Sequence, residues 1–450
     1  MKFFTTFNPA RFLVFYFLIF IISGTILLSL PIATTKGISL VDALYTATSA
    51  VCVTGLIVKD TQNDFTLFGK LVILILIQLG GLGYMTITTI IILLFQRKAS
   101  FRDMLLVKEH TGITSFKNFR SFLLDVARVV FIFEGIGALL LFLYFYGFQK
   151  MPIKTALFHS VFHAVSAFCN AGFSSFSENL ASFSNKLFVP LIIALLFISG
   201  GLGFIVWSDI YRTYLKRKEK QISLHTKIVL LTTFFLILLG TFLIYLLEYH
   251  HSLKDFPILN KIIIAFFHAT TPRTAGFNLI PVSSFHLATL LIVMLLMFIG
   301  ASPGGTGGGI KTTTFLVALL YPFYFLKGRT SEKFFKRKLT FSAIEKSMVI
   351  IILSVILIFL AAFFITLIEK NVDFIKTLFE IFSAFGTVGL STGSIRNSLL
   401  SLSYDFSSLS KLIIIFVMFA GRVGVINILR LIIKEKREHL DFPEEEISVG

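Results

Sequence analysis

The fold is decided by a motif that occurs four times, as SAVCVTGL (49–56), SAFCNAGF (166–173), TTPRTAGF (270–277) and SAFGTVGL (383–390). The four copies align without gaps on one glycine. An aromatic residue stands ten positions before each of these glycines, and a serine or threonine stands six positions before it. Four matches at a near-regular period predict four internal repeats.

Apolar segments surround every copy of the motif. The chain is 56% hydrophobic and 14% charged, whereas soluble proteins contain about 25% charged residues. This composition excludes a disordered chain and an ordinary soluble enzyme. Eight segments are long enough to span a bilayer: 12–31, 68–95, 127–147, 187–209, 228–248, 288–326, 347–368 and 411–433. A shorter apolar stretch leads to each motif glycine, at 40–52, 155–169, 259–271 and 376–386.

These patterns predict an all-α polytopic membrane protein with about eight transmembrane helices and four re-entrant half-helices. The elements form four span–pore-helix–span repeats around one central pore. Each repeat contains one motif glycine, and the last also contains a cytoplasmic C-terminal tail. The predicted repeats are 1–96 (Gly55), 97–211 (Gly172), 212–327 (Gly276, with an intramembrane loop at 300–314) and 328–450 (Gly389).

Positive charge sets the predicted orientation. The formal net charge is +17, and 25 of the 41 Lys and Arg residues lie in five segments that the spans place on one side. These segments are 1–11, 97–120, 212–227, 327–346 and 430–450. The positive-inside rule therefore puts both termini in the cytoplasm of a plasma-membrane protein. Since topology accounts for the charge, we expect contact with membrane lipid and no nucleic-acid partner.

The four glycine turns suit a cation. A helix C-terminus carries about half a negative charge, and four such ends converge at mid-membrane. Carbonyl oxygens of the turns can replace the water around a dehydrated ion. No carboxylate lies in the turns, so neutral carbonyls predict a K⁺ filter and no other metal site. The predicted filter residues are Val53, Thr54, Gly55, Asn170, Ala171, Gly172, Thr274, Ala275, Gly276, Thr387, Val388 and Gly389.

A second glycine motif follows each turn, as GGLG (80–83), GGLG (200–203), GGTG (304–307) and GRVG (421–424). Close helix packing explains part of this set. The third copy lies in GASPGGTGGGIKTTT (300–314), whose glycines and proline disfavour a helix. The segment is therefore either a movable element or a static packing kink. Its spacing does not fit a phosphate-binding loop.

As a set, the VTGL, NAGF, TAGF and TVGL turns resemble the Trk/Ktr/HKT superfamily of K⁺ transporters. Because one span precedes the first turn, the chain is most similar to the bacterial Ktr membrane subunits. The resemblance implies a homodimer and a cytoplasmic ring of nucleotide-binding regulatory subunits of the KtrA type. Any nucleotide would then bind the separate subunit, and this chain would hold no cofactor. Some Na⁺-selective relatives have serine at the first turn, so Gly55 favours K⁺.

The resemblance also implies that the 300–314 loop is a gate beneath the filter. The expected gate residues are Gly304, Gly305, Thr306, Gly307, Gly308, Gly309, Lys311 and Arg422. An intramembrane arginine is costly and marks a functional site by default. Arg422 is expected to repel cations and to bind loop carbonyls. Lys311 has a second interpretation, anchoring at the cytoplasmic interface.

Other polar residues have structural interpretations. Asp42 is expected to cap a helix. Glu380 and Arg273 are expected to make an ion pair or hydrogen bonds rather than to touch the ion. No catalytic constellation is present, so the chain is not expected to be an enzyme. The predicted function is K⁺ uptake that depends on Na⁺. The alternatives are a Na⁺ or mixed Na⁺/K⁺ transporter of the same fold, and an intramembrane enzyme or carrier.

Overall fold

The structure is a computed structural model that describes residues 9–94, 119–215, 221–327, 333–334, 337–338, 340–370 and 372–432. Much of the predicted cytoplasmic surface lies outside these residues. The predicted positions of 1–8, 95–118, 216–220, 328–332 and 433–450, including the C-terminal tail, therefore remain predictions.

The described residues are mainly helical. The α-helices are α1 (Pro9–Ser29), α2 (Leu40–Val51), α3 (Leu67–Leu94), α4 (Phe119–Leu143), α5 (Ile153–Phe168), α6 (Phe188–Leu202), α7 (Phe204–Ile210), α8 (Leu224–Glu248), α9 (Ile258–Thr270), α10 (Leu287–Phe298), α11 (Thr312–Leu326), α12 (Phe341–Ile368), α13 (Phe374–Gly386), α14 (Ser408–Val423) and α15 (Val425–Ile432). Two short strands, β1 (Lys333–Phe334) and β2 (Arg337–Lys338), pair antiparallel. Short π-helical turns extend α4 (Tyr144–Phe148) and α7 (Tyr211–Leu215). Short 3₁₀ turns occur at Ala181–Phe183, Val282–Ser284 and Leu402–Tyr404.

The four short helices α2, α5, α9 and α13 occupy the predicted short apolar stretches. Each begins and ends within two residues of its predicted bounds. Each also ends a few residues before a motif glycine, so the chain leaves the helix directly into the turn. The lengths of the apolar stretches in the sequence therefore predict where these helices lie.

The predicted N-cap of α2 is wrong by three residues. The N-cap is Ser39, whose side-chain oxygen accepts a hydrogen bond from Asp42 N–H at 3.1 Å. Asp42 lies in the first turn, where an acidic side chain is stabilised by the helix dipole. Its carboxylate pairs with Lys411 Nζ at 2.8 Å and so joins α2 to α14.

Long apolar helices break at the last glycine of three of the second motifs. Helix α3 is kinked at Gly83 (φ 57°). Gly203 (φ 95°) separates α6 from α7 at a bend of 92°, and Gly424 (φ 92°) separates α14 from α15 at 101°. Glycine adopts these angles without the steric cost that other residues carry. The GGTG copy differs, because it lies in a loop (299–311) between α10 and α11.

The eight predicted spans correspond to helices of three kinds. Within the described ranges, four helices are long and apolar enough to cross a membrane: Arg11–Ser29, Leu124–Phe148, Leu224–Glu248 and Phe341–Ile368. The two bent pairs raise this number to six. The predicted segments 68–95 and 288–326 fail the same test because a kink and a loop interrupt them.

Two buried apolar clusters form the core. One is made mainly by helices α1–α3 and α12–α15, and the other mainly by α4–α6 and α8–α10. The outer faces of α1, α8 and α12 expose large apolar side chains, including Phe15, Phe234 and Phe363. Contiguous apolar outer faces are typical of helices that contact lipid. Residues of the first two glycine turns, Val53 and Ala171, belong to the first cluster, and Ala275 and Val388 of the other two turns belong to the second.

Candidate functional site

The four glycine turns share positive φ angles at the same two positions. The glycines have positive φ angles of 93°, 69°, 77° and 93° at Gly55, Gly172, Gly276 and Gly389. The residue two positions earlier also has a positive φ in every turn, at Val53, Asn170, Thr274 and Thr387. Side-chain-bearing residues rarely adopt this conformation. Its recurrence in four sequence-distant turns indicates a common backbone requirement.

The turns close into a ring. A methyl group added to Gly55 would lie 2.5 Å from Ala171 O, and one added to Gly172 would lie 3.0 Å from Gly276 Cα. A methyl on Gly276 would overlap Val388 O, next to Gly389. A methyl on Gly389 would overlap Thr54 O and lie 3.0 Å from Gly55 Cα. The order is therefore Gly55, Gly172, Gly276, Gly389 and back to Gly55.

Serine and threonine hydroxyl groups form hydrogen bonds with the backbone of the turns. Gly55 N–H donates to Ser49 Oγ at 3.0 Å, and Gly389 N–H donates to Ser383 Oγ at 3.1 Å. In the second turn Ser166 Oγ donates to Phe173 O at 2.6 Å. The third turn uses Thr271, whose hydroxyl donates to Phe277 O at 2.7 Å. The motif alignment instead predicts Thr270 for this role, but the Thr270 hydroxyl donates hydrogen bonds to carbonyls of its own helix.

The carbonyl groups of the twelve predicted filter residues are left free by the protein. In the described part of the chain, no hydrogen bond is donated to any of these twelve oxygens. The residues are buried except Gly389, which is half-buried. Buried carbonyls in proteins are nearly always paired. A concentration of free ones at the ring is therefore suited to binding a cation.

A cavity of about 390 Å³ opens above the ring. The four ring glycines line it, together with the loops that follow the turns. Among the described residues on its wall, the charged side chains are the carboxylates of Asp60 and Glu178. Acidic side chains at the entrance of a narrow pathway raise the local concentration of cations.

The 299–311 loop lies on the opposite side of the turns and is densely bonded. Gly304 to Gly308 are buried. The loop bonds to itself and to the glycine motifs of α6 and α14. These bonds are Gly300 N–H to Ile310 O (2.8 Å), Ser302 N–H to Gly201 O (3.0 Å), Thr306 N–H to Gly200 O (3.2 Å), Phe204 N–H to Gly304 O (2.9 Å) and Gly309 N–H to Gly421 O (3.2 Å). Gly305 also packs closely, since an added methyl group would lie 3.0 Å from Gly201 O.

Arg422 ties this loop to α3. Its guanidinium donates to Thr306 O and Gly80 O, and to Gly81 O at 3.1 Å. It also lies 5.7 Å from the centre of the Phe17 ring. No carboxylate within the described ranges pairs with Arg422. Its positive charge is thus held by carbonyl oxygens and an aromatic ring alone.

Lys311 binds the loop from which it extends. Its Nζ donates to Gly307 O at 2.6 Å, with Gly308 O at 3.5 Å. This contact favours a role in the loop over anchoring at an interface. Lys311 and Arg422 together place two cationic groups on three successive loop carbonyls.

Comparisons with known proteins agree with this geometry. The TrkH family of cation transport proteins matches residues 4–439. The Ktr system potassium uptake protein B of Bacillus subtilis is 38% identical over 99% of this chain and 97% of its own length. The protein of the same name from Vibrio alginolyticus is 37% identical over 98% of this chain and 94% of its own.

The chain belongs to the TrkH family. This confirms the predicted resemblance, and the chain is therefore a transport protein and not an enzyme. A crystal structure of the potassium transporter TrkH from Vibrio parahaemolyticus has the same fold. Its TM-score is 0.72 at 15% identity, over 96% of this chain and 86% of the other. The helical fold and apolar outer faces are those of a multi-pass membrane protein of this family.

The polar residues outside the ring have structural partners. Glu380 Oε1 accepts from Ser403 N–H at 3.0 Å and Ser403 Oγ at 2.7 Å. Arg273 donates to Thr233 Oγ1 at 3.2 Å in α8. These side chains therefore bond to other partners and not to each other, and none of these bonds involves a carbonyl of the ring.

The sequence analysis did not find all of the site. It left Glu134 with two interpretations, an intersubunit or an interhelix polar contact, and the structure shows an interhelix contact: the carboxylate lies 3.1 Å from Gln78 Nε2, two residues before Gly80. It also gave Asp60 no role, although this residue lines the cavity. Neither residue belongs to a repeated motif, so the alignment that identified the turn glycines could not identify Asp60 or Glu134.

Proposed function

We propose that this TrkH-family chain conducts K⁺ across the plasma membrane through the ring of four glycine turns. One observation carries the proposal: four turns of equal backbone conformation close a ring whose twelve carbonyl oxygens accept no hydrogen bond from the described residues. Neutral carbonyls suit a large monovalent cation that sheds water readily.

The relatives support K⁺ as the ion. Two are named potassium uptake protein B, and a third, the Ktr system potassium uptake protein D of Bacillus subtilis, is 34% identical over 98% of this chain. The Asp60 and Glu178 carboxylates would draw cations into the cavity above the ring. Gly55 then acts with the other turn residues as an ion ligand through its carbonyl.

The 299–311 loop is the gate in this proposal. It lies directly beneath the turns, and its carbonyls hold the cationic groups of Arg422 and Lys311. Two positive charges below the filter oppose the passage of a cation. Opening then requires the loop to exchange its bonds to the glycine motifs of α6 and α14 for other partners.

The architecture follows from the same proposal. Residues 1–96, 97–211, 212–327 and 328–450 form four span–pore-helix–span repeats, with α2, α5, α9 and α13 as re-entrant half-helices. Both termini are cytoplasmic. In this proposal the chain works as a homodimer with a separate ring of nucleotide-binding subunits. The names of two relatives, Ktr system potassium uptake proteins B and D, support partnership with other components of a Ktr system.

A second candidate function is mixed Na⁺ and K⁺ transport. The potassium/sodium uptake protein NtpJ of Enterococcus hirae is 33% identical over 98% of this chain and 97% of its own length. The two functions share the ring and differ in how strongly it discriminates between the ions. Dependence of K⁺ uptake on Na⁺ would be a third arrangement, in which both ions use the protein.

Uptake in a K⁺-uptake-deficient bacterium tests the proposal. Cells that express the chain should grow on limiting K⁺ and accumulate ⁸⁶Rb⁺, with and without Na⁺, and with and without a co-expressed KtrA-type subunit. Rescue would support K⁺ uptake. Accumulation of ²²Na⁺ alongside ⁸⁶Rb⁺ would favour the second candidate. No ⁸⁶Rb⁺ accumulation under all four conditions, despite protein in the membrane, would contradict both candidates, and ²²Na⁺ accumulation alone would then indicate a Na⁺ transporter of the same fold.

A further inference from the structure

Side chains of the filter turns reach the 299–311 loop directly. The position concerned is the first residue of each predicted filter triplet, which is Val53, Asn170, Thr274 or Thr387. Thr387 makes the simplest contact, because its Oγ1 accepts a hydrogen bond from Gly308 N–H at 2.9 Å. A filter side chain therefore satisfies a backbone donor of the loop.

Asn170 connects the second turn to the same loop. Its side-chain amide lies 3.1 Å from Thr306 Oγ1 and 3.0 Å from Thr274 Oγ1. The amide orientation that satisfies its neighbours has the NH₂ group donating to Thr306 Oγ1 and to Phe197 O, while its oxygen accepts from Thr274 Oγ1. The second and third turns are thus bonded to each other and, through Thr306, to the loop.

Thr274 lies against the loop backbone. A methyl group added to Gly307 would overlap Thr274 Oγ1, so the third turn and the loop are in van der Waals contact. Glycine at 307 is what makes this approach possible. Three consecutive loop residues, Thr306 to Gly308, therefore each meet a different filter turn.

The first turn is the exception. Val53 is fully buried and apolar, and none of the hydrogen bonds of the described residues joins it to the loop. The loop contacts are consequently asymmetric around a ring whose backbone is alike in all four turns.

The three contacting residues have a strained backbone, as Val53 does. Asn170, Thr274 and Thr387 have φ angles of 57°, 75° and 50°, which side-chain-bearing residues adopt only when their surroundings hold them there. Their bonds to the loop are part of those surroundings. Removing the loop would leave these three turns less firmly held, while the Val53 turn would lose no hydrogen bond among those of the described residues.

We propose that Asn170, Thr274 and Thr387 are positioning residues that couple the gate to selectivity, because the docked 299–311 loop holds three of the four filter turns in shape. Withdrawal of the loop would open the pathway and weaken discrimination between K⁺ and Na⁺ in the same step. The inference rests on the proposed function, in which the ring is the filter and the loop is the gate.

The test compares Thr387→Val with Thr387→Ser in proteoliposomes that contain the full-length protein, with ⁸⁶Rb⁺ and ²²Na⁺ influx measured in parallel. Valine keeps the shape and removes the acceptor for Gly308 N–H, whereas serine keeps the acceptor. Thr270→Val is the matched control, because the Thr270 hydroxyl bonds only carbonyls of its own helix. Thr306→Val removes a different contact of the same kind, the hydrogen bond between the loop and Asn170, and serves if Thr387→Val does not fold.

We expect Thr387→Val to raise basal Rb⁺ influx and to lower the Rb⁺ to Na⁺ influx ratio about fivefold, the size of effect typical of one lost buried hydrogen bond. Thr387→Ser should recover most of the ratio that Thr387→Val loses, and Thr270→Val should retain the wild-type ratio. Raised Rb⁺ influx at an unchanged ratio, in Thr387→Val and Thr306→Val alike, would overturn the coupling and leave the proposed function intact. Absence of Rb⁺ influx through the wild-type protein would overturn both.

Discussion

The ring of four glycine turns and the 299–311 loop are both glycine-rich segments of irregular backbone, yet they use their peptide groups in opposite ways. In the ring, the carbonyls accept no hydrogen bond from the described part of the chain, while the N–H groups of Gly55 and Gly389 donate to serine hydroxyls. In the loop, carbonyls are occupied by backbone amides, Lys311 and Arg422.

This difference shows that glycine serves two purposes in one molecule. In the ring it supplies a positive φ where a methyl group would strike the next turn. In the loop it gives close packing, so that the backbone reaches the α6 and α14 motifs. Irregular backbone is tolerated at membrane depth only where it is buried in protein or lines a cavity. The loop meets the first condition and the ring the second.

The sharpest test of the ring is Gly276→Ala. The added methyl group would overlap Val388 O, so the ring must distort, and we expect ⁸⁶Rb⁺ uptake to fall at least about a hundredfold. The matched control is Gly37→Ala, because Gly37 has a similar φ of 80° with nothing within 4 Å of the added methyl group. Gly37→Ala should cost about 1 kcal/mol of stability and leave uptake intact. Equal losses in both variants would mean that backbone strain, and not the ring, matters.

Arg422→Gln tests the loop side of the comparison. It removes the positive charge and part of the bonding to Thr306 O, Gly80 O and Gly81 O, so we expect basal ⁸⁶Rb⁺ influx to rise about tenfold. Arg396→Gln is the control, because Arg396 is exposed and its Nε lies 3.7 Å from Asp405. Unchanged influx in the Arg422 variant would remove this residue from the gate.

Gly55→Ser tests the ring at one position with a polar group. The serine Cβ would lie 2.5 Å from Ala171 O. The φ of 93° at this position is also one that a residue with a side chain rarely adopts. We expect the ratio of ⁸⁶Rb⁺ to ²²Na⁺ influx to fall several-fold. Gly37→Ser is the control. A ratio equal to that of the wild type would contradict a filter built from four carbonyl turns.

Ser49→Ala should have the smallest effect. It removes the acceptor for Gly55 N–H, a bond worth about 1 kcal/mol, and so loosens one turn without adding any atom to the ring. We expect a two- to fivefold drop in the same influx ratio. Ser23→Ala, which removes a hydroxyl bonded to Phe20 O within α1, should leave the ratio unchanged. A drop of equal size in both variants would be a general effect on stability.

The sequence predicted the parts of the fold that depend on local composition. Apolar run length set the bounds of α2, α5, α9 and α13, and the aligned motif found the four turn glycines. The glycine-rich run at 300–314 also marked the loop, because glycine and proline disfavour a helix wherever the chain places them.

Features that depend on distant residues were not predictable in this way. The pairing of Asp42 with Lys411 and the contact of Thr387 with Gly308 join segments far apart in the chain. In the third turn the bonding hydroxyl belongs to Thr271 and not to the aligned Thr270, and this depends on how the chain continues from the end of α9. The breaks at Gly83, Gly203 and Gly424 depend on φ, which the identity of a glycine permits but does not dictate.

The central claim is that the twelve free carbonyls of the ring bind K⁺. Anomalous X-ray diffraction from crystals of the full-length protein grown in Rb⁺ tests it most directly, since Rb⁺ substitutes for K⁺ and its position can be identified. We predict an anomalous peak on the axis of the ring, within coordination distance of carbonyls from all four turns. Rb⁺ bound at other positions only, in a protein that still takes up ⁸⁶Rb⁺, would contradict the claim.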